Sequence, residues 1–247
     1  MTLTQYTKIA ENYAESQDRR PIRWAVTDPS LFKQIGDLRR VEVLDLACGD
    51  GRLSRECKRR GAKLVVGVDA EPKMIEIAKA KEAEARQGIR YKVGKVGELA
   101  PIGMFELAIP GFLLHYSETK DELTRMCQDI YDHLRPMGKM IGINQNPDCP
   151  FNPDREYGSE VIPVRFPVRE GDKVRCTLFT PDGKPGASFT NTHWKKSTYE
   201  EIMKQVGFKD IKWIPMHVSE EGIETFGEDF WKGWFDFPSL TLLEARK

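Results

Sequence analysis

The chain has 247 residues, and its 38 Lys and Arg are balanced by 38 Asp and Glu, giving a formal net charge of +0. A neutral chain lacks the positive field that attracts nucleic acid or anionic lipid. Its five Cys show no C-x-x-C spacing, which favours free thiols in a reducing compartment over disulfides or a zinc site. No apolar run approaches the roughly 20 residues of a membrane span, and no secretory signal is evident, so we expect a cytoplasmic protein.

The predicted elements alternate between helix and strand. Apolar residues at helical spacing predict a helix over residues 6–14. A second helix is predicted from Asp28, with Pro29 in its first turn, to Gly36. The strands predicted next are 41–46, 63–68, 89–93, 105–109 and 139–144, and the helices among them are 52–60, 72–86 and 119–134. This alternation is typical of a Rossmann-like, doubly wound α/β sheet.

The alternation stops at Asn146. Residues 147–194 are rich in Pro, Gly and aromatic residues, with β-like runs at 161–168 and 174–179, and the elements predicted after them are helix 197–206, strand 208–214, helix 229–235 and strand 240–245. We predict a seven-stranded sheet, mostly parallel, with an antiparallel C-terminal edge strand. The single predicted domain, 1–247, comprises a helical cap (1–40), a ligand-binding α/β half (41–146), a β-rich insertion over the cleft (147–194) and a C-terminal αβαβ unit (195–247).

A turn of small residues follows the first predicted strand, in the sequence VLDLACGDG over residues 43–51. The second strand ends in another acid, Asp69, within VVGVDAE over residues 65–71. Small residues allow the backbone to approach a ligand closely, and an acid at the second position can grip a ribose. The two features predict a site for a nucleoside-bearing cofactor at the carboxyl ends of a parallel sheet.

The spacing of the turn separates the classes of cofactor. A dinucleotide-binding turn reads G-x-G-x-x-G, and residues 49–54, GDGRLS, lack the third glycine. Asp45 lies at the end of the first strand, where an acid suits an ammonium or a sulfonium and repels a pyrophosphate. Both observations argue against a nicotinamide-dependent oxidoreductase.

These segments resemble the class I methyltransferases that use S-adenosyl-L-methionine. The resemblance is carried by VLDLACGDGRLSRECKRRGA and VVGVDAEPKMIEIAKAKE, and it extends over nearly the whole chain through FLLHYSETKDELTRMCQDIYDHLRPMGKMIGINQNPD and GEDFWKGWFDFPSLTLLEARK. The segments YTKIAENYAES, LLHY and N-x-N-P-D look most like the toxoflavin synthase group, which methylates ring nitrogens of azapteridines. The resemblance implies S-adenosyl-L-methionine as cofactor, S-adenosyl-L-homocysteine as its product and a small heteroaromatic methyl acceptor.

The resemblance also implies roles for individual residues of the cofactor site. Ala47, Gly49 and Gly51 would form the turn against the methionine part of the cofactor. Asp45 would approach the ammonium, directly or through water, and Asp69 would accept hydrogen bonds from both ribose hydroxyls. The other implied contacts are Ala70 beside the ribose, Met74 near the adenine, the Val96 backbone amide at an adenine ring nitrogen, and Tyr13.

Lys95 departs from the family pattern, and three arginines near the start of the chain have two alternative interpretations. Lys95 follows the third strand, where the family commonly has an acid that accepts from the adenine amino group, and an ammonium cannot accept. Arg19, Arg20 and Arg23 are predicted to form a solvated face, although one of them could meet the carboxylate of the cofactor.

The acceptor side needs alignment and the exclusion of water, because methyl transfer is an in-line displacement at a carbon that the sulfur already activates. His115 is the candidate catalytic base or acceptor-orienting group; alternatively it is a loop histidine held by hydrogen bonds. Tyr116, Tyr157 and Trp231 are predicted to line the acceptor pocket by stacking. Asn144, at the end of the fifth strand, either contacts the acceptor or caps a turn.

The expected reaction is methyl transfer to a ring nitrogen of an azapteridine-like heterocycle. An O-methyltransferase of the same fold and a non-catalytic cofactor-binding protein remain alternatives. A nucleic-acid methyltransferase would show a basic face or an N-P-P-Y-type tetrapeptide after the fourth strand, where this chain has IPGF at 109–112. No His, Asp and Glu cluster has metal-ligand spacing, so no metal is expected. We expect a monomer or homodimer without nucleic-acid or membrane partners.

Overall fold

The computed structural model describes residues 20–153, 155–180 and 183–247. The helix predicted over residues 6–14, and with it Tyr13, lies outside these ranges. The second predicted helix is α1, Asp28–Ile35, with Pro29 in its first turn and Gly36 at its end, where φ is +78°. A five-residue π-helical segment, Arg23–Thr27, leads directly into it.

Of the ten strands in the described residues, seven form the main sheet, in the order β3-β2-β1-β4-β5-β10-β9. The pairs among β1 to β5 are parallel, and β10 is antiparallel to both of its neighbours. The predicted fold class is confirmed, and the antiparallel strand lies one position inside the edge that β9 forms. In chain order the strands are β1 (Glu42–Leu46), β2 (Leu64–Asp69), β3 (Arg90–Val93), β4 (Phe105–Pro110), β5 (Leu134–Gln145), β6 (Ser159–Pro163), β7 (Lys173–Phe179), β8 (Pro185–Thr192), β9 (Lys209–Pro215) and β10 (Leu240–Arg246).

Helices cover both faces of the main sheet, because successive strand residues point to opposite sides. Val43 belongs to one buried cluster, with apolar residues of α1, α2 and α3, and its neighbour Leu44 belongs to the other, with those of α4 and α5. Burial on both faces explains why these strands are continuous apolar runs. The remaining helices are α2 (Arg52–Arg59), α3 (Pro72–Ala85), α4 (Lys120–Asp132), α5 (Lys196–Val206), α6 (Glu220–Phe226) and α7 (Lys232–Asp236).

Strand β5 starts earlier than predicted. It begins at Leu134, so Pro136, Met137 and Gly138, a sequence typical of a turn, lie inside the strand. Met137 has a φ of +67°, and the pairing with β4 shifts register between Phe105 and Leu107. The Pro-Met-Gly sequence therefore produces a bulge rather than a chain reversal, because pairing with the neighbouring strand continues beyond it.

The insertion forms a separate antiparallel sheet in the order β6-β7-β8. The predicted run over 161–168 is a strand only as far as Pro163, and β8 was not predicted because its sequence, PGASFTNT, begins with Pro and Gly and is largely polar. Helix α6 was also missed. It has seven residues and is capped by Ser219, whose Oγ accepts from the Gly222 N–H at 3.1 Å.

Candidate active site

A cavity of about 290 Å³, the first cavity, lies at the carboxyl ends of β1 to β4. The strand order reverses between β1 and β4, and open α/β sheets bind ligands at such switch points. Each strand contributes through the loop that follows it, with Gly49 after β1, Ala70 after β2, Val96 after β3 and Phe112 after β4. The volume is close to the lower end of small-molecule sites, roughly 300 Å³.

The turn after β1 presents backbone rather than side chains to this cavity. Ala47, Gly49 and Gly51 have φ values of +58°, +56° and +79°, in the region that favours glycine. Ala47 and Gly49 line the first cavity. Gly51 does not, because its carbonyl accepts from the Tyr91 hydroxyl at 3.3 Å and holds the far side of the loop. The expectation that all three contact the ligand is thus corrected for Gly51.

Asp69 ties two ligand-facing segments together. Its Oδ2 accepts from the Gly49 N–H at 2.8 Å, and its Oδ1 accepts from the Glu71 N–H at 2.9 Å. Burial raises the pKa of Asp69, while these two backbone bonds act in the opposite direction. Asp69 lines the first cavity together with Ala70 and Met74, and each carboxylate oxygen keeps a second lone pair for a ligand hydroxyl.

Asp45 lies beneath the turn instead of in the cavity lining. Its Oδ2 accepts from the Ser54 hydroxyl at 2.5 Å, and its Oδ1 has no hydrogen-bond partner among the described residues. Burial raises the pKa of Asp45 to about 7. The structure therefore does not place Asp45 in direct contact with the first cavity, and an approach to the ammonium through water stays a prediction.

Lys95 and Glu122 face each other across the edge of the first cavity, and both line it. The Lys95 Nζ lies 2.8 Å from Glu98 Oε1 and 3.8 Å from Glu122 Oε1. The hydrogen bond to Glu98 raises the pKa of Lys95. Glu122 was not predicted as a site residue; it lies in the first turn of α4, three residues after the capping Thr119. The capping pattern was visible in the sequence, but not that this turn approaches the loop after β3.

Val96, in the loop after β3, lines the same cavity. It is buried, and its backbone N–H has no hydrogen-bond partner among the residues that the structure describes. A ring nitrogen of a ligand could therefore accept from it. This leaves Ala47, Gly49, Asp69, Ala70, Met74 and Val96 as the predicted cofactor residues that the structure brings together.

A second cavity, of about 80 Å³, adjoins the first one. Both are lined by Arg23, Phe112 and Tyr116, so a ligand in one lies beside a ligand in the other. The Arg23 guanidinium lies 4.7 Å from the centre of the Phe112 ring. Buried Arg20 also lines the second cavity, so the prediction of a solvated face was wrong for Arg20 and Arg23.

His115 lines the second cavity and is fully buried. Its Nδ1 lies 3.0 Å from Asn144 Oδ1, and the Asn144 Nδ2 donates to the Gln145 carbonyl at 3.2 Å. That second bond orients the amide so that Oδ1 faces Nδ1, and the Gln145 backbone N–H lies 3.3 Å from the same Nδ1. Nδ1 thus has both an acceptor and a donor beside it, and the two contacts hold the ring. Burial lowers the pKa of His115 to about 4, so the ring is neutral at physiological pH. Asn144 lines neither cavity and positions His115.

The two remaining acceptor candidates have different surroundings. Tyr157 lines the second cavity with its ring, while its hydroxyl donates to the Phe230 carbonyl and accepts from the Trp234 N–H, both at 2.9 Å. Trp231 stacks on Tyr157 at a centroid distance of 5.3 Å, donates to the Gly222 carbonyl and lines neither cavity. Trp231 thus belongs to the core, because Tyr157 covers it.

Two further features concern the described ranges only. No group of three or more His, Cys, Asp or Glu among residues 20–153, 155–180 and 183–247 is arranged to hold a metal ion. Within the same ranges, every helix is too short or too polar to cross a bilayer.

Residues 43–138 match the family model described as a methyltransferase domain. Among curated relatives, a demethylmenaquinone methyltransferase of Lactococcus lactis is 34% identical over 127 residues, which cover 49% of this chain and 48% of the relative. A ubiquinone biosynthesis O-methyltransferase of Xanthomonas oryzae is 30% identical over 107 residues, with coverage of 42% and 43%. The chain spans about half the length of the curated relatives it matches.

Solved structures match over nearly the whole chain. An S-adenosylmethionine-dependent methyltransferase from Mesorhizobium loti has a TM-score of 0.66 at 20% identity, covering 94% of this chain and 100% of that one. The S-adenosylmethionine-bound amino pentose methyltransferase CalS10 from Micromonospora echinaspora has a TM-score of 0.56 at 14% identity, covering 100% and 92%. The chain has the class I S-adenosylmethionine-dependent methyltransferase fold. Within that fold, the matched segment 43–138 carries the loops of the first cavity.

The close packing of Tyr91 against Gly51 gives a stability prediction for Gly51→Ala. A Cβ at this position would lie 2.2 Å from the Tyr91 hydroxyl oxygen, in addition to the strain of φ +79°. Gly88→Ala is a matched control, because its φ is +80° and its Cβ would meet nothing within 4 Å. We expect the control to lose about 1–2 kcal/mol and Gly51→Ala to lose about 1–3 kcal/mol more, measured by urea unfolding. Equal losses would contradict the proposed packing.

The buried carboxyl gives a pH prediction for Asp45→Asn. Because folding raises the pKa of Asp45 from 3.8 to about 7, the folded state binds more protons in this window, and the wild type loses stability as pH rises through it. Asn cannot titrate. The free energy of unfolding of the variant should therefore rise relative to that of the wild type between about pH 5 and about pH 7, by at most roughly 1.4 kcal/mol per pH unit. Urea unfolding at both pH values measures this, with the exposed Glu84→Gln as control. A pH-independent difference would contradict the buried assignment.

Proposed function

We propose that this protein is an S-adenosylmethionine-dependent methyltransferase that acts on a small planar molecule. The observation that carries the proposal is the pair of adjoining cavities, which share Phe112 and Tyr116. The first has the glycine turn and the acid that suit a nucleoside, and the second is smaller and combines aromatic with polar side chains in its walls. The match of residues 43–138 to a methyltransferase domain supports the same reaction.

The first cavity fits the cofactor by its donor set and its backbone cradle. We assign the ribose hydroxyls to Asp69, the methionine portion to the turn at Ala47 and Gly49, and the adenine ring to the space beside Met74 and Val96. The cradle leaves no room for larger residues, since a Cβ on Gly49 would lie 3.2 Å from the Met74 Cε. The cofactor supplies a methyl group on a positively charged sulfur.

Lys95 occupies the position after β3 where the family commonly has an acid that binds the adenine amino group. We assign the role of that acid to Glu122. The adenine amino group needs an acceptor, and the Glu122 carboxylate lines the first cavity next to Lys95. Its Oε2 accepts from the Glu118 N–H at 2.8 Å, which orients the group without using all of its lone pairs. We therefore assign recognition of the amino group to Glu122.

We assign His115 to orienting the acceptor and not to removing a proton from it. With a pKa of about 4, the neutral imidazole is a weak base, and we assign its Nε2 a hydrogen bond with the acceptor ring. Asn144 fixes the ring through Nδ1. The chain would contribute mainly alignment of donor and acceptor. The ring nitrogen would enter the cavity after releasing its proton to solvent, and it would gain the methyl group as S-adenosylhomocysteine is formed.

We propose an azapteridine-like heterocycle as the acceptor, methylated at a ring nitrogen. A flat ring suits the Tyr157 face and the Tyr116 side chain that line the second cavity. The similarity to a ubiquinone biosynthesis O-methyltransferase favours one other candidate, a phenol- or quinol-type acceptor methylated at oxygen. A protein that only binds the cofactor is the third possibility.

Mass spectrometry after incubation with S-adenosylmethionine and a didemethylated azapteridine separates these candidates. The expected product is heavier by one methyl group, with release of S-adenosylhomocysteine. Methylation of catechols and quinols instead would support the O-methyltransferase. Binding of S-adenosylhomocysteine without turnover of either class would support a binding protein, and absence of binding would contradict the whole proposal.

The role of Asp69 predicts a loss of cofactor affinity in Asp69→Asn. An amide has only one accepting oxygen, so it cannot hold the Gly49 and Glu71 N–H groups and also accept from both ribose hydroxyls. We expect S-adenosylhomocysteine to bind at least about tenfold more weakly by calorimetry, equivalent to about 1.4 kcal/mol. Asp37→Asn, at an exposed carboxylate, is the control and should bind like the wild type. Unchanged affinity in Asp69→Asn would exclude the ribose assignment.

The role of Glu122 predicts a change in base discrimination. The wild type should prefer S-adenosylhomocysteine over S-inosylhomocysteine, in which a carbonyl replaces the amino group. Glu122→Leu should reduce that preference by about tenfold or more, because a buried acceptor for the amino group is lost. Glu98→Leu, which removes the other carboxylate bound to Lys95, is the matched control. A preference that depends on Glu98 rather than Glu122 would contradict the assignment.

A further inference from the structure

Gln145, the last residue of β5, carries a buried amide that the protein does not use. Its side chain lines the second cavity and the residue is only 5% exposed. Neither Oε1 nor Nε2 has a hydrogen-bond partner among the residues that the structure describes. Burying both a donor and an acceptor without partners is costly, so such an amide in a cavity indicates a ligand that satisfies it.

The backbone of Gln145 is held on both sides, so the amide cannot simply turn toward solvent. Its carbonyl accepts from the Asn144 side chain at 3.2 Å, and its N–H lies 3.3 Å from His115 Nδ1. In the sheet it pairs with Leu240 of β10. The side chain therefore presents a donor and an acceptor side by side from a rigid strand end.

A second unused acceptor lies in the insertion. Asn191, on β8, lines the same cavity at 6% exposure, and its Oδ1 has no partner in the described part of the chain. The other walls include the apolar Val161, Leu178 and Phe189 as well as polar residues such as Arg20, His115, Asn152 and Ser159. The unbonded amide atoms of Gln145 and Asn191 belong to two separate sheets.

We propose that Gln145 is a specificity residue that recognises the amide-like edge of a cyclic imide or lactam in the methyl acceptor. Its Oε1 accepts from the ring N–H and its Nε2 donates to the adjacent ring carbonyl, while Asn191 Oδ1 accepts from a further N–H. Arg20 and Arg23 line the cavity as well, and their positive charge favours a carbonyl-rich ring. A phenol or quinol has no neighbouring N–H and carbonyl, so this site selects against it. The inference rests on the proposed function, since it concerns the same acceptor.

Two isomeric probes test the inference without any assumption about turnover. 6,7-Dimethyllumazine keeps both N–H groups of its pteridine-dione ring, and 1,3-dimethyllumazine, of the same size, has none. Binding is measured by calorimetry in the presence of saturating S-adenosylhomocysteine. We expect the wild type to bind the 6,7-isomer at least about tenfold more tightly, because the other isomer leaves the buried amide unpaired.

Gln145→Met replaces the amide with an unbranched apolar side chain of similar length. It should bind the two isomers within about threefold of each other, and its thermal midpoint should equal or exceed that of the wild type, because two unpaired polar atoms are removed. A purely structural glutamine would instead lower the midpoint. Gln128→Met is the matched control, since its amide bonds to Asp132 on the exposed surface of α4.

Asn191→Leu supplies a second variant, in a different sheet, should Gln145→Met fold poorly. It should weaken binding of the 6,7-isomer and leave the 1,3-isomer unchanged. If the wild type binds S-adenosylhomocysteine but shows no preference between the isomers, the inference is overturned and the methyltransferase proposal stands. A preference retained in both variants also overturns it. Failure to bind S-adenosylhomocysteine would remove the proposed function on which the inference rests.

Discussion

The two hydrogen bonds accepted by Asp69 determine the geometry on which the rest of the site depends. One carboxylate holds the Gly49 N–H at 2.8 Å and the Glu71 N–H at 2.9 Å, so it sets the separation between the turn after β1 and the start of α3. The Cys48 N–H adds a bond to the Val68 carbonyl. Under the proposed ribose assignment, a ligand hydroxyl would meet an acceptor that is already oriented, which would reduce the ordering cost of binding.

The second cavity combines apolar walls with polar side chains, several of which the protein itself holds in place. Burial keeps His115 neutral, and Asn144 and the Gln145 N–H both contact its Nδ1. The Tyr157 hydroxyl bonds to the backbone of residues 230 and 234. In a buried space, polar atoms that the protein leaves unbonded have a large influence on which molecule binds.

Short-range rules were sufficient for the α/β half, because helix ends, turns and strand ends depend on neighbouring residues. Pro29 and Gly36 mark α1, and the small-residue turn and Asp69 lie where the motif predicts. Which side of a turn meets the ligand depends on packing, so Asp45 and Gly51 could not be distinguished from Ala47 in advance. The locations of Glu122 and Trp231 could not be predicted, because they depend on contacts between elements distant in sequence. Helix α4 places Glu122 at the first cavity, and Tyr157 covers Trp231.

The small sheet β6-β7-β8 pairs its strands within residues 159–192, with one isolated bridge from Val161 to Asn152, and none of its described strands pairs with the main sheet. The register of the seven-stranded sheet therefore does not depend on the side chains that this block presents to the second cavity. Substitutions or length changes there can alter which molecules are accepted while the nucleoside-facing loops keep their shape. Residues 159–192 are contiguous in the gene. Directed evolution of the enzyme toward new acceptors should therefore begin by randomising this block.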